Sequence, residues 1–521
     1  MSYNQTTACV NAPSRRLFAP MFRARWQNMQ NIVNDSVFYD MVPEPYLTYY
    51  QAFIRQWIQW SQGFVPALHR QDFFSTGMGY TVCDIFARQC MSGGYRFHSQ
   101  NPEAKAALKL WDGGRLETVF AEMFFFSNAG GNSMLCLTPI DGEVYPSAIP
   151  INRLYFMIGR RGEVTQAIIF NRFVAGETAY YARESRMQLD GRGYYRVELA
   201  PGTLVTSPSF VTAPCREVPD KIRGQWEYAY GNIVPGVWYE LPKSFHSLGL
   251  YNIRNKSVAV AIADLPGYSD STLHTALDVL YSIDYNYTQG QVDQYMGKSR
   301  ALIPKQFQTA PVRGGGVGIR KAVEEGVSFV EAVNMRGPEL NDEFYTQVES
   351  GDMNGTPIKP TFLQPDLRGE ARKYIRDSDL ELLASKVGLS ATTLANHLAA
   401  GAAKTATQVR SEVSETESSV NNKRELAKAS INRMLNDVLN FYGFADKVEI
   451  SWGRSGMNSS VENSELLKDY QAGTMPIRMY LQKRWPDMSE EEIERTAQEI
   501  EEEKRQEAAL GAEQDFFGAG E

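Results

Sequence analysis

The sequence predicts an α+β protein of two to four domains. Three observations support this. Apolar residues recur at helical spacing in segments near both ends of the chain. Short β segments joined by hairpin-type dipeptides occupy the stretch from Ser133 to about Pro242. At 521 residues the chain exceeds what one small core can organise.

The apolar and charged fractions are those of an ordinary globular protein, neither disordered nor fibrous. The formal net charge of -8 argues against a protein that grips DNA tightly, because such proteins carry a basic face. It does not argue against a surface over which DNA slides. Cys9, Cys83, Cys90, Cys136 and Cys215 lack paired spacing and read as reduced thiols in a cytosolic setting. Cys83 and Cys90 can share one helix face, as core rather than chemistry. No run approaches the roughly 18 apolar residues of a membrane span. The longest apolar stretches, such as 257–265, are strand- or helix-sized.

The elements follow in order. Residues 1–44 read as a basic, partly mobile arm. Arg15, Arg16, Arg23 and Arg25 precede the first acid, Asp35, and no apolar segment of signal-peptide type follows them. Residues 45–61 read as an amphipathic helix with Leu47, Tyr50, Ile54 and Trp57 on one stripe. Residues 103–128 are helical again, broken near Gly113 and Gly114. In the β-rich stretch, Asp141-Gly142 and Asp190-Gly191 are hairpin turns. After Pro266-Gly267 a helix begins, with Ser269 or Ser271 as its cap and Leu273, Ala276, Leu280, Ile283 and Tyr287 as its stripe.

A Gly/Pro-rich insert with β-like pieces at 301–303 and 327–333 and an acidic, aromatic patch at 343–345 follows, as a small separate domain. Helix returns from about Leu367 to Val387, where Gly388 is a stop signal. Residues 389–404 are loop-like and rich in Ala, Thr, Asn and Gly. Residues 405–442 contain no Gly or Pro. Val409, Val413, Thr416, Val420, Ala427, Ile431, Met434, Val438 and Phe441 recur at threes and fours, with one polar step at Arg424. Thr405 and Gln408 form a capping-box pattern and Gly443 ends the run, giving a helix of roughly 57 Å. A rod of that length bridges parts of an assembly. Residues 448–452 form a strand, and helices at 464–471, 475–485 and 490–510 close the chain. Ser489 and Glu492 make a second capping box, and the last helix is strongly acidic.

No catalytic constellation emerges, and no cofactor is implied. Gly297-Lys298-Ser299 resembles the end of a phosphate-binding loop, but the required first Gly is Val292 and a helix precedes it instead of a strand. It reads better as a helix C-terminus with basic residues at the negative end of the dipole. Residues 314–318 are Gly-rich without the dinucleotide-binding spacing. His69, His98, His246, His274 and His397 have no second ligand at metal spacing.

The order helix, Gly/Pro-rich insert, helix, Ala/Thr loop, very long helix resembles the portal proteins of tailed double-stranded DNA bacteriophages. Residues 404–412 (KTATQVRSE) are similar to a family run in which Glu is common where Gln408 stands. Val387-Gly388-Leu389-Ser390 resembles the segment before the family's tunnel loop. Leu277-Asp278-Val279-Leu280, with Ile283-Asp284 and Leu302-Ile303-Pro304, resembles the descending stem helix and its entry into the clip. Residues 116–129 and the β-rich stretch after them resemble the wing. The likeness spans roughly residues 100–485.

The resemblance implies a portal-like ring subunit. Its parts would be an arm (1–44), wing (45–266), stem helix (267–297), clip (298–366), second stem helix (367–388), tunnel loop (389–404), long wing helix and strand (405–460) and helical crown (461–521). It implies a homo-oligomeric ring, typically of twelve, at one capsid vertex of the virion, assembled in the host cytoplasm. The ring would conduct double-stranded DNA without sequence specificity. It would dock the terminase large subunit and then head-completion or tail adaptor proteins, contact major capsid and scaffolding proteins, and require no membrane. Twelve copies would sum to roughly -96, a field that repels phosphates and lets DNA slide. Residues expected to face DNA are Arg368, Arg372, Lys373 and Arg376 on the returning helix, and Thr392, Thr393, Asn396, His397 and Lys404 at the loop. For each basic residue an inter-subunit ion pair or a solvated position accounts equally well. Other readings are a different structural head or minor capsid ring protein, and a packaging ATPase-nuclease, against which the failed phosphate loop counts.

Overall fold

A computed structural model describes residues 44–63, 75–160, 162–176, 178–203, 214–296, 300–304, 345–348, 361–363, 369–391, 393–394, 406–453, 466–473, 475–485, 488 and 490–502. The protein is α+β. The chain separates into two compact units. One comprises residues 1–283 and 379–521, the other residues 284–378.

In the larger unit the helical run over 45–61 takes the form of α1 (Glu44–Tyr49), a π-helical turn (Tyr50–Ile54) and α2 (Arg55–Ser61). Tyr50, Ile54 and Trp57 are buried, as their stripe requires. Next come α3 (Met78–Met91) and β1 (Tyr95–Ser99). Then α4 (Pro102–Asp112) and α5 (Arg115–Gly130) are separated at Gly113 and Gly114, both with positive φ. Asn101 caps α4 by accepting the Glu103 amide at 2.9 Å, with Pro102 at the first helical position, where its missing N–H costs nothing.

β2 (Asn132–Ile140) and β3 (Glu143–Pro150) are joined by Asp141 and Gly142, at φ +51° and +86°, a type I′ hairpin turn. β4 (Leu154–Ile158), β5 (Val164–Ala175), β6 (Thr178–Leu189) and β7 (Arg192–Thr203) follow. Asp190 and Gly191, at +50° and +77°, make the same turn between β6 and β7. After α6 (Arg223–Tyr230), β8 (Trp238–Glu240) completes an antiparallel five-stranded meander in the order β4-β5-β6-β7-β8. β9 (Leu250–Arg254) pairs instead with β2, giving the order β3-β2-β9. Arg186 of β6 is buried. It pairs with Glu184 at 2.6 Å and donates to the carbonyls of Leu137 (3.0 Å) and Leu248 (2.8 Å), so the meander is fixed to the smaller sheet.

Next are α7 (Leu277–Met296), β10 (Arg300–Pro304), β11 (Tyr345–Val348), β12 (Thr361–Leu363) and α8 (Gly369–Val387). β10 lies between β11 (parallel) and β12 (antiparallel), so the Gly/Pro-rich insert contains a three-stranded sheet. The boundary between the two units falls inside both α7 and α8. The β-like piece expected at 327–333, the Gly-rich stretch 314–318 and Gly297-Lys298-Ser299 lie outside the described residues.

α9 (Ala406–Phe441) matches the Gly/Pro-free run. Val420, Ala427, Ile431, Met434 and Val438 are fully covered. β13 (Val448–Trp452) then returns to pair antiparallel with β1, from Tyr95↔Trp452 to Ser99↔Val448. One core runs from Tyr46 to Trp452 in the larger unit, with Cys83 and Cys90 wholly inside it. α10 (Ile477–Arg484) and helical residues 490–502 form a second small core of Leu481, Trp485, Met488, Ile493 and Ala497.

Several expectations need correction. Residues 257–265, an apolar run of strand or helix size, form bends and turns. Val258 and Val260 are exposed, and the amides of Val260 and Ala261 donate to the Asp270 carboxylate, which holds the segment as a loop. Ser269 does not cap the following helical segment, whereas Ser271 Oγ accepts the Leu273 amide at 3.0 Å at its start. Ser269 accepts the Asn255 amide and donates to the Gly131 carbonyl, and Ser271 Oγ donates to the carbonyls of Asn128 and Ala129. A 3-10 turn (His274–Ala276) intervenes before α7. Tyr287, assigned to the buried stripe, is 48% exposed. Ile493 and Ala497 of the acidic last helix are buried within their own chain.

Candidate functional site

In the larger unit the start of α7, the end of α8 and α9 are joined by a set of buried and polar contacts that includes one of the expected residues, Thr393. α8 ends by burying Leu383, Ala384 and Val387. Gly388, at φ +78°, stops it, and the Leu389 amide turns back to the Ala384 carbonyl at 2.9 Å, the backbone closure of a left-handed cap. The start of α7 is tied to the end of α8 by three polar contacts. Lys386 Nζ donates to Asp278 at 2.7 Å, Thr275 Oγ1 donates to the Lys386 carbonyl at 3.1 Å, and Ser282 Oγ donates to Asp379 Oδ2 at 3.0 Å. The Lys386 ammonium holds the Asp278 carboxyl below the usual carboxylate range.

The chain after α8 is anchored, not loose. Leu389 and Leu394 enter the main core. Between them, Ser390 and Thr393 meet Thr416 of α9 in a buried cluster of hydroxyls. The Ser390 amide donates to Thr416 Oγ1 at 2.8 Å and the Thr393 amide donates to Ser390 Oγ at 3.0 Å. The Ser390 and Thr393 hydroxyls lie 2.7 Å apart, and those of Thr393 and Thr416 3.3 Å apart. Thr416 reads as an apolar-stripe position, but its hydroxyl is the acceptor that fixes the start of the loop. The sequence trace of this latch is a Ser-x-x-Thr spacing just after a Gly stop, which alone is too common to single out.

The expected DNA-facing residues divide accordingly. Thr392, Asn396, His397, Lys404 and Arg368 lie outside the described residues, as does the Thr405 cap. Thr393 is a correction: it is buried and its hydroxyl is engaged inside the protein, so it offers nothing to DNA. Arg372, Lys373 and Arg376 lie on α8 in the smaller unit. Arg372 is half-buried, with Nη1 3.1 Å from where a Cβ on Gly290 of α7 would sit. The absent side chain at Gly290 therefore gives the guanidinium its place. Lys373 is exposed, and exposed Arg376 pairs with Asp377 at 3.0 Å.

Apolar side chains share the surface of these helices. Tyr281 and Tyr285 on α7 and Tyr374, Ile375 and Leu382 on α8 are exposed, Tyr374 by 77%. Helix surface of this character suits cover by another protein surface.

α9 also carries two adjacent buried cations. Arg424, the polar step, donates to the carbonyls of Cys90 (2.9 Å) and Gly453 (2.8 Å) and lies over the Trp452 ring. Lys423 donates to Asn255 Oδ1 and to Thr272 Oγ1 (3.0 Å), and sits 4.6 Å from the centre of the Phe86 ring. Burial pushes its pKa down to about 8. These contacts bind the rod to α3, to the end of β13 and to the segment between β9 and α7. Among the described residues, no group of His, Cys, Asp and Glu side chains is arranged to hold a metal ion, and no helix is long and apolar enough to cross a membrane.

Residues 267–506 match the family described as phage portal protein, SPP1 Gp6-like, a segment that contains α7, the insert, α8, α9 and the last helices. No curated protein matches. Similar solved structures include a chain of the virion of a native gene transfer agent particle. It is 9% identical with a TM-score of 0.40, over 81% of this chain and 89% of that one. Another is a chain of the neck of an empty particle of that kind, 11% identical with a TM-score of 0.40, over 80% and 90%. A third, from the neck of the native particle computed with C12 symmetry, is 11% identical with a TM-score of 0.39, over 80% and 91%.

Proposed function

We propose that this chain, whose residues 267–506 match the phage portal protein family, is a portal protein, one subunit of a ring of about twelve at a capsid vertex, through which DNA enters and leaves the head. The family match supports this because it covers both helices that flank the insert and the long helix after them. In this reading α7 and α8 are the stem, residues 298–366 are the clip that meets the terminase large subunit and later the adaptor, and residues 45–266 with α9 are the wing that meets capsid and scaffolding proteins. The helical segments from 461 onward form a crown toward the head interior. The subunits assemble in the host cytoplasm and end in the virion.

The exposed tyrosines of α7 and the exposed Tyr374, Ile375 and Leu382 of α8 are then the surfaces a neighbouring stem covers. Lys373 and Arg376 face the DNA, and Arg372 positions the two helices. A few cations in a ring of net negative charge give contacts weak enough for DNA to slide. DNA passes without chemical change, so the chain needs no catalytic group. Negative-stain imaging of the purified full chain tests the reading. Toothed rings with a central hole are expected, and a globular monomer at all concentrations overturns it.

A further inference from the structure

A groove of about 560 Å³ runs between α3 and α5 in the larger unit. Met91, Ala121 and Phe125 give it an apolar floor, and Asp84, Glu117 and Glu122 stand along it. Arg88 is the one cation among its lining residues and is already paired with Asp84 at 2.6 Å. Glu117 and Glu122 are exposed, and desolvation raises the Glu122 carboxyl above its ordinary range. Tyr80, itself half-exposed, packs against Phe125 at a ring separation of 5.3 Å and extends the apolar surface. The groove thus offers aromatic surface beside two carboxylates without a cation. Its natural occupant is a segment that alternates arginines with large apolar side chains.

The chain contains such a segment. Residues 15–26 read RRLFAPMFRARW, with four arginines, and no acid occurs before Asp35. The reach is sufficient. The helical run from Glu44 to Ser61 is about 27 Å long, and its far end, α2, packs on α3 and α5. Residues 26–43 can span up to about 60 Å when extended. A tethered segment also meets the groove at an effective concentration in the millimolar range.

We propose that residues 15–26 of the same chain dock in the groove between α3 and α5, with arginines against Glu117 and Glu122 and aromatic side chains on Phe125. This goes beyond the ring reading and does not depend on it. The arm then covers apolar surface on the wing, and the segment richest in arginine is held away from DNA.

Trypsin cuts after arginine, so limited digestion of the full chain reads the docking directly. Cleavage after Arg16, Arg23 and Arg25, followed by mass spectrometry, should be slow in the unaltered chain. It should speed up about tenfold in the double variant Glu117→Lys, Glu122→Lys, and in the unaltered chain at about 0.5 M salt. The Glu117→Gln, Glu122→Gln pair should fall between. Unchanged cleavage at the wing arginines and lysines common to all chains, the two introduced lysines left aside, reports that a variant is folded. As a second reading, replacing the four arginines by Gln should accelerate hydrogen exchange in α3 and α5. Equal cleavage rates in all chains overturn the proposal, because the arm is then free. Protection that survives charge reversal overturns it too, because another surface then holds the arm. Protection that grows with protein concentration overturns the same-chain assignment in favour of a neighbour's groove.

Discussion

Lys423 makes the fold's stability depend on pH in a direction opposite to most buried groups. Lys423 is buried, and among the described residues its ammonium meets neutral partners, Asn255 Oδ1, Thr272 Oγ1 and the face of Phe86. The positive Lys256 nearby lowers its pKa further, while any charge on the thiols of Cys83 or Cys90 would raise it. Its folded pKa of about 8 lies below the ordinary 10.5. Below pH 8 both folded and unfolded chains hold the proton, and the folded state bears the full cost of burying the charge. Between pH 8 and 10.5 the folded chain releases the proton while the unfolded chain keeps it. The unfolded state then binds more protons, and stability rises with pH at up to about 1.4 kcal/mol per unit. Over the whole window the gain is on the order of 3 kcal/mol.

Lys423→Met removes the titrating group and keeps the stem that lies on Phe86. Denaturant midpoints of the unaltered chain and of Lys423→Met should therefore diverge between pH 8 and 10, the unaltered chain gaining on the variant. The buried thiols act the other way. Burial pushes Cys83 up to about 12 and Cys90 up to about 11, so each loses stability as pH rises above its unfolded value. That loss is common to both proteins and cancels in their difference. The hydrogen bonds lost with the amine shift the variant by a constant, so the slope is the diagnostic quantity. Parallel curves from pH 7.5 to 10 would refute the argument and mean that the amine is solvated or ion-paired.

The remaining predictions concern the loop and the chain's end. Thr416→Val leaves the Ser390 amide without its acceptor and should cost about 1–3 kcal/mol, read as faster hydrogen exchange at Ser390; unchanged protection there would mean that the hydroxyl cluster does not hold the loop's start. Asn396→Lys with His397→Lys should make DNA stick and slow packaging, more so at low salt, whereas the Ala pair should be mild. Normal packaging by the Lys pair at every salt concentration moves the constriction to the α8 cations. Truncation after Met488 should leave ring assembly intact but uncover Trp485, which Ile493 and Ala497 help to bury. A red-shifted, more quenchable tryptophan emission checks this, and loss of folding would assign the last helix to the main core.

Much of the architecture was legible because its signals are local. The Gly/Pro-free run over 405–442 predicts a helix that the structure bounds at Ala406 and Phe441. Asp-Gly pairs between apolar runs predict two hairpin turns, and both have the positive φ angles that such turns demand. The broken helix at Gly113 and Gly114 and the strand at 448–452 have equally local causes. The buried polar contacts were not legible, because their partners are remote. Arg424 stands out as a polar step in an apolar stripe, but the carbonyl it serves on Cys90 is 334 residues away in sequence. Lys423 falls beside that stripe and looks solvated until α3 and the 255–272 segment close over it. The loop at 257–265 was not legible for the same reason. Its apolar run suggests a regular element, but the Asp270 carboxylate takes its amides and substitutes for a sheet partner.

Placing Thr393 in the core changes how the DNA-facing residues must be sought. Small, weakly polar residues over 389–404 suggest a loop that nothing anchors, since such side chains bury little apolar area. Two of the three leucines in that stretch decide the matter for its first part. Leu389 and Leu394 are both fully covered, and each contributes roughly 1.5–3 kcal/mol by its burial. With the hydroxyl cluster at Thr416 they fix the first part of the segment to α9. Thr393 therefore leaves the expected set, and Thr392, Asn396, His397 and Lys404, which lie outside the described residues, are the candidates that remain in this segment. On α8, the engagement of Arg372 near Gly290 likewise leaves Lys373 and Arg376 as the cations presented outward. The two groups differ in chemistry. Lys373 and Arg376 would contribute counterion release and a steep salt dependence, whereas Asn396 would contribute salt-insensitive hydrogen bonds. The salt dependence of packaging by variants in each group therefore distinguishes a constriction built from the loop from one built from the helix.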